Sequence, residues 1–273
     1  MSVTSRLRLG GARVDVQTRA EVLAAVHAAL VDPERPPLML ASANLDHLTY
    51  FGQGSGRESA FDQQAGLDWL VLLDGMPLVW MASLSARTRP ELLTGSDLLP
   101  VLWAVLEERR ARVAVLGGQS AMHTALRKQL RADHPGITIT VTLAPTRAEL
   151  QDRQCRDDLA DQVRRSGAEV LLVALGKPAQ EDFLLEQGAR TGVRVGAAFG
   201  AACDFYSGTE RRVPPAWRGT GFEWLYRLGR EPRRLGHRYL VEGPVALGHL
   251  LRSSGSWTGT TPGVGAGRQS PHR

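Results

Sequence analysis

At 273 residues, 43% of them hydrophobic and 22% charged, the chain is long enough to bury one substantial core and has ordinary globular composition. Two cysteines, Cys155 and Cys203, lie far apart in helical or apolar settings, which excludes a disulfide framework and a zinc cluster and fits a reducing compartment. The net charge of +5 is uneven: from Arg211 to Arg252 there are nine arginines against three glutamates, a surplus that suits phosphate ligands, nucleic acid or an anionic membrane surface without choosing among them.

The first residues, MSVTSRLRLGGARVDV, contain no apolar signal region, and no stretch reaches the roughly 20 apolar residues of a spanning helix. The nearest approach, Trp69 to Leu84, is interrupted by Asp74-Gly75. A soluble or peripheral protein is expected. The chain opens on a short strand pair around Gly10-Gly11, then a helix that begins at Thr18, where Glu21 completes a capping box. LMLASAN is a buried strand, FGQGSGRES a loop, and WLVLL a second buried strand. A helix follows from Thr94 to Arg110, then the strand RVAVLGG, a helix from Ser120 to Asp133, and the strand ITITVTL. Thr146 and Glu149 repeat the capping box before a helix running to about Arg165, and EVLLVALG and VRVGAAFG are strands around a helix from Ala179 to Arg190. Continuous apolar strands alternating with amphipathic helices predict an α/β, Rossmann-like fold: a mostly parallel sheet with helices on both faces. The alternation ends near Gly208. The expected division is a core over 1–208, a helical, Arg- and aromatic-rich appendage over 209–252, and a disordered Gly/Ser/Thr-rich tail over 253–273.

Ligands of open α/β sheets bind outside the carboxyl ends of the strands. Those ends carry Ser42 and Asn44, Asp74-Gly75, Gly117-Gly118, Gly176 with Gln180, and Gly200 to Asp204. Asp74-Gly75 reads either as a β-turn or as a partly desolvated carboxylate with a raised pKa, suited to general-base work. Gly117-Gly118 reads as a tight strand-to-helix turn or as a pyrophosphate cradle at a helix N-terminus. In GKPAQE, proline and Glu181 suit a helix start, a role to which Gln180 adds little, so Gln180 leans towards function. The segment GFEWLYRLGREPRRLGHRYL interleaves Trp224, Tyr226 and Tyr239 with Arg227, Arg230, Arg233 and Arg234. It is either an amphipathic helix with a solvated basic face or a set of arginines reaching a pyrophosphate beside a membrane.

In this order, ASANLDHL, VLLDGMPLV, LLTGSDLLP, VAVLGG, LVALGKPAQE, CDFYSGTERRVP and GFEWLYRLGREPRR resemble the WecG/TagA/CpsF family of bacterial glycosyltransferases, over about Leu38 to Leu240. The resemblance implies an inverting, metal-independent transferase with a Rossmann-like core, whose C-terminal appendage completes the active site and meets the membrane. It implies a UDP-sugar donor, often of N-acetylmannosamine or its uronic acid, and a polyprenyl-diphosphate-linked acceptor. By motif, Asp74 is the base with Asn44 beside it, Gln180 is the glutamine of G-x-P-x-QE, Asp204 and Arg212 match the segment before the tail, and Arg227 and Arg233 match the arginines that hold diphosphate. Ser42, Gly75, Gly117, Gly118, Gly176 and Glu181 complete the expected donor site. No cofactor, metal or nucleic acid is expected, a homo-oligomer is allowed, and the expected location is cytoplasmic, peripheral to the inner face of the membrane.

Three positions depart from the family pattern. Ser42 replaces a threonine, Leu92 replaces an arginine for which Arg87 or Arg89 can substitute, and LAPTRAEL replaces a Gly-Tyr-Phe element. They bear on sugar specificity more than on reaction class. An oxidoreductase would need G-x-G-x-x-G and an acidic residue about twenty positions later, and RVAVLGGQSAMH supplies neither. A non-catalytic basic binding module would explain the tail but not the polar strand ends. Within the family, a soluble or secondary-metabolite acceptor is the alternative.

Overall fold

The structure, a computed structural model, describes residues 5–62, 66–86, 90–214, 217, 220, 223–230, 232–237, 240, 243–252 and 256–257. A hairpin of β1 (Ser5–Leu9) and β2 (Ala12–Val16) opens the chain. Six strands then build the main sheet: β3 (Leu38–Ala43), β4 (Asp68–Leu73), β5 (Arg112–Gly117), β6 (Thr138–Leu143), β7 (Val170–Ala174) and β8 (Val195–Ala198). Their order is β4-β3-β8-β7-β5-β6, and all five pairings are parallel. β3 is buried along its whole length, as a strand covered on both faces must be, whereas Thr-rich β6 lies at an edge and stays partly exposed.

Helices cover both faces, and the strands divide their side chains between two apolar clusters with period two. Met39, Ala41, Leu171 and Val173 face one cluster with α2 (Leu45–Phe51), α3 (Met76–Ala86), α7 (Arg153–Arg165) and α8 (Ala179–Thr191). Leu38, Leu40, Val170 and Leu172 face the other, with α1 (Arg19–Val31), α4 (Gly95–Glu108), α5 (Ser120–Asp133) and α9 (Ala202–Ser207). Both expected capping boxes form, at Thr18 and Glu21 and at Thr146 and Glu149. The single helix expected after Thr146 is two: α6 (Arg147–Gln151) stops at Asp152, whose backbone is extended and whose carboxylate accepts the Cys155 N–H at 2.8 Å, capping α7. Aspartate favours this local bond over a helix interior.

The outer edge of β4 is closed by charged side chains of the hairpin. Asp15, 1% exposed, accepts the Val71 N–H at 2.9 Å, and Arg13, 4% exposed, donates to Trp69 O and Phe61 O at 2.6 and 2.8 Å. The two also pair with each other, so backbone groups of an edge strand find partners without an additional β-strand.

Beyond Gly208 come α10 (Glu223–Arg230), α11 (Pro232–His237) and α12 (Gly243–Arg252). Packing does not stop at the expected boundary. α12 lies against α2 and α3 and sends Ala246 and Leu250, 3% and 0% exposed, into the same cluster as β3 and β7. Its GPVALGHLL run is apolar enough to be claimed by the core despite its basic neighbours. β9 (Ser256–Trp257), inside the segment expected to be disordered, pairs antiparallel with β1 at Leu7 and Arg8. Leu250→Ala should therefore lower the stability of the main cooperative unfolding transition by about 2–5 kcal/mol, the range for a buried leucine. Urea melts that are unchanged by the substitution would show that α12 is not part of the core.

Candidate functional site at the carboxyl ends of the strands

The parallel sheet aligns the ends of β4, β3, β8, β7 and β5 along one rim, and most of the expected site residues stand there. Asp74 follows β4, with its backbone N–H donating to Ala43 O of β3 at 2.8 Å. Gly75 O accepts the Leu78 and Val79 N–H groups, so Asp74-Gly75 joins a buried strand to α3 rather than forming a hairpin turn. A β-carbon on Gly75 would stand 3.4 Å from Asn44 Cβ, so the Asp74-Gly75 and Asn44 backbones run side by side. Asn44 caps α2, its Oδ1 accepting the His47 N–H at 3.1 Å. The structure thus brings Asp74 and Asn44 together from two strands that are separated in sequence by a loop and a helix.

The next strands along contribute a buried polar network. Lys177, with 7% of its side chain exposed, donates to Ser42 O at 2.6 Å and to Glu181, which is 0% exposed. Gln180, 2% exposed, donates from Nε2 to Ala198 O at 3.0 Å and to Glu181 Oε1 at 3.1 Å. The ends of β3, β7 and β8 are therefore tied by side chains of one GKPAQE segment. Gln180 Oε1 and Glu181 Oε2 have no hydrogen-bond partner among the described residues. Gly200, at φ +49, passes close over Gln180: a β-carbon there would lie 3.2 Å from Gln180 Oε1. Gly176 also has a positive φ, +76, which explains its residue type at the strand-to-helix junction.

Behind this network His47 is fully buried, tilted against Phe51 and stacked on Phe61 at centroid distances of 4.8 and 5.4 Å. Burial first, then the positive charges of Lys177 and Arg57, push its pKa well below the ordinary value and keep the ring neutral. Arg57 pairs with Asp182 of α8 and lies 4.4 Å over the Phe51 ring. The loop expected between α2 and β4 is thereby fastened to the helix that carries Gln180.

Gly117 and Gly118 lie at the end of β5, at φ +95 and +75. A β-carbon on Gly117 would meet Ala174 O at 2.4 Å, and the Gly118 N–H donates to that same oxygen at 3.1 Å. Close approach of β5 and β7 accounts for Gly117, the Met122 side chain 2.1 Å from a β-carbon accounts for Gly118, and the Gly118 amide is committed to the fold. Asp204 sits on α9, where its backbone carbonyl accepts from Thr209 and Glu210. Arg212 bonds Asp97, which joins the TGSDL motif to the segment before the tail. Burial raises the Asp97 pKa, but hydrogen bonds from Arg212 and Thr94 outweigh it and the net shift is downward. Arg233 is exposed on α11. The side chains of Arg227 and Trp224, together with Tyr239, Arg87 and Arg89, lie outside the described residues.

Sequence reasoning missed Lys177, His47, Asp97 and Arg57. For Lys177 a signal existed, since it precedes Glu181 by one helical turn. Asp97 stood three residues after the helix-capping Thr94, where a first-turn carboxylate reads as capping.

Two relatives named as N-acetylglucosaminyldiphosphoundecaprenol N-acetyl-beta-D-mannosaminyltransferases are similar to this chain. The one from Bacillus spizizenii is 27% identical over 166 residues, and the one from Bacillus subtilis is 26% identical over 164. Each alignment covers 60% of this chain and 62% of the relative, so the chain spans somewhat under two thirds of their length. The family match is longer, extending over residues 7–258 and taking in both the rim and the helices after it. On that match the chain belongs to the glycosyl transferase WecG/TagA/CpsF family.

Proposed function

We propose that this protein is an inverting, metal-independent glycosyltransferase. Its donor is a UDP-sugar carrying N-acetylmannosamine, its uronic acid or another hexose. Its acceptor is a polyprenyl-diphosphate-linked saccharide, used in building a cell-surface polysaccharide or teichoic-acid-type polymer at the inner face of the membrane. The observation that carries this reading is the placement of Asp74 beside Asn44, on adjacent parallel strand ends, in a chain of this family. The activity for which the two Bacillus relatives are named supports the acceptor class.

Inverting transfer is one displacement. The acceptor hydroxyl loses its proton to Asp74 as its oxygen attacks the anomeric carbon from the face opposite the diphosphate. The carbon–oxygen bond to UDP breaks, and the electron pair leaves with the diphosphate. Asp74 supplies the base, and Asn44 helps seat the acceptor beside it. Gln180, with its buried Oε1, suits a hydroxyl of the transferred sugar. Glu181, enclosed against Lys177, serves as support for Gln180. The departing diphosphate needs positive charge placed before reaction, and Arg212, held by Asp97, together with Arg227 and Arg233 would provide it. The described residues contain no group of three His, Cys, Asp or Glu spaced to hold a metal ion.

Asp74→Asn should cut turnover by roughly 10²–10⁴-fold, the usual loss for a general base, with UDP-sugar affinity little changed. UDP release and donor titration read the two effects separately, and a variant that keeps more than half the wild-type turnover would remove Asp74 from the mechanism. EDTA should leave the initial rate unchanged. Restoration by magnesium or manganese of a rate lost to chelation would overturn the arginine-based account. Asp97→Asn should lower kcat and kcat/KM together, because it releases the Arg212 that stabilises the departing diphosphate. Its pH signature follows from the lowered folded pKa: the Asp97 contribution to stability is present above its ordinary value of 3.8 and is lost as pH falls through the folded value. The stability gap between wild type and Asp97→Asn should accordingly close on acidification, and a gap independent of pH would show that the pair is not formed.

A further inference from the structure

α3 starts two residues after Asp74 and is apolar on every side: MPLVWMASLSA contains no charged residue. Leu78, Val79 and Ala82 face the core, while Trp80 and Leu84, one turn apart, are 52% and 79% exposed. The adjoining α12 has the same division. Ala246 and Leu250 are buried, whereas Val245, Leu247 and Leu251 are 57%, 37% and 64% exposed. Large apolar side chains at these exposures on two packed helices amount to more than the scattered surface leucines of an ordinary globular protein.

Charge indicates what covers them. No Asp or Glu occurs from Met76 to Pro90, or anywhere from Gly243 to the end of the chain. Arg87 and Arg89 follow α3 directly and Arg252 is the last residue of α12, with Glu91 and Glu242 standing just outside the two stretches. Exposed tryptophan and leucine on helices that contain no carboxylate and are each followed or ended by arginine match the headgroup region of an anionic bilayer.

We infer that the α3–α12 surface, with Trp80 and Leu84 as its inserting side chains, docks the enzyme on an anionic lipid bilayer. This inference rests on the lipid-linked acceptor of the proposed function. It relocates the apolar contact from the Arg-rich helices α10 and α11 to the helix that grows out of the Asp74 strand end. α3 is about 16 Å long at 1.5 Å per residue. A face seated on lipid along that helix holds Asp74 near the depth at which an acceptor saccharide emerges from its polyprenyl anchor.

The test is co-sedimentation of the full-length protein with vesicles of phosphatidylglycerol and phosphatidylcholine, comparing wild type with the double variant Trp80→Ser, Leu84→Ser. Both positions are already exposed, so the melting midpoint should stay close to wild type, and a single variant, Leu84→Ser, serves if it does not. Vesicle partitioning should fall at least tenfold in the double variant, and transfer to a bilayer-embedded acceptor should fall with it. Transfer to a soluble short-chain acceptor should stay within twofold of wild type. Unchanged partitioning of the substituted protein overturns the docking surface, as does a wild type that fails to bind the vesicles. So does a wild-type dimer that becomes monomeric on substitution, since a second copy would then cover the face. Absence of transfer to the short-chain acceptor by wild type would count against the proposed function, while the partitioning result would still judge the surface.

Discussion

Lys177 and Glu181 form a buried ion pair where the three central strands of the sheet end. Charges removed from water are tolerated only when each finds partners, and separating such a pair costs on the order of 3–5 kcal/mol. Here the ammonium also takes Ser42 O of β3, and the carboxylate also takes the Gln180 amide, which reaches Ala198 O of β8. The pair therefore fixes three strand ends with respect to one another. Asn44 lies two residues beyond Ser42 and Gln180 is next to Glu181, so the spacing of the two groups follows from this one interaction. Asp74 joins the set through β4, whose register on β3 is continued by the bond from Asp74 N–H to Ala43 O.

Other charges do comparable work at the margins of the rim. Arg57 with Asp182 ties the loop after α2 to α8, and Arg212 with Asp97 ties the segment after α9 to the start of α4. Arg13 with Asp15 closes the outer edge of β4, which keeps the strand carrying Asp74 from presenting an open edge. Catalysis by displacement needs groups set in place before reaction, and a rim cross-braced by side chains is suited to that requirement. Lys177 holds Glu181, Glu181 holds Gln180 and Asp97 holds Arg212, so in the proposed mechanism the three serve as supports for Gln180 and Arg212.

Much of the fold was legible because its signals are local. β3 and β4 declare themselves as unbroken apolar runs, and Thr18 with Glu21 and Thr146 with Glu149 mark helix starts within four residues. The rim positions of Asp74, Asn44 and Gln180 were legible because a parallel sheet puts every strand end on the same rim. What escaped is long-range or depends on context. Lys177 and Ser42 are 135 positions apart and Arg212 and Asp97 are 115 apart, and no local pattern announces either partnership. Asp152 ends a helix that periodicity alone would continue, by bonding its own neighbour. Gly117-Gly118 offered a phosphate cradle to the sequence, and in the structure Gly117 lets β5 pass close to β7 while the Gly118 N–H bonds Ala174 O. α12 was grouped with basic neighbours in sequence, but burial of Ala246 and Leu250 assigns it to the core.

The braced rim also orders the remaining parts of the account. In the proposed reaction the donor occupies the strand-end rim that carries Asp74, Asn44 and Gln180, and α3, which follows Asp74-Gly75, leads from that rim to the exposed Trp80 and Leu84. The proposed event is the joining of a sugar to a diphosphate-linked saccharide. Mass spectrometry of the products tests that event directly, with UDP-N-acetylmannosamine and an N-acetylglucosamine diphospholipid as the starting pair. The account predicts an acceptor that has gained one N-acetylhexosamine unit, in amounts equal to the UDP formed, with other UDP-hexoses tried in turn if this donor is refused. UDP formed with free sugar and no lengthened acceptor, or no reaction with any UDP-sugar, would contradict it.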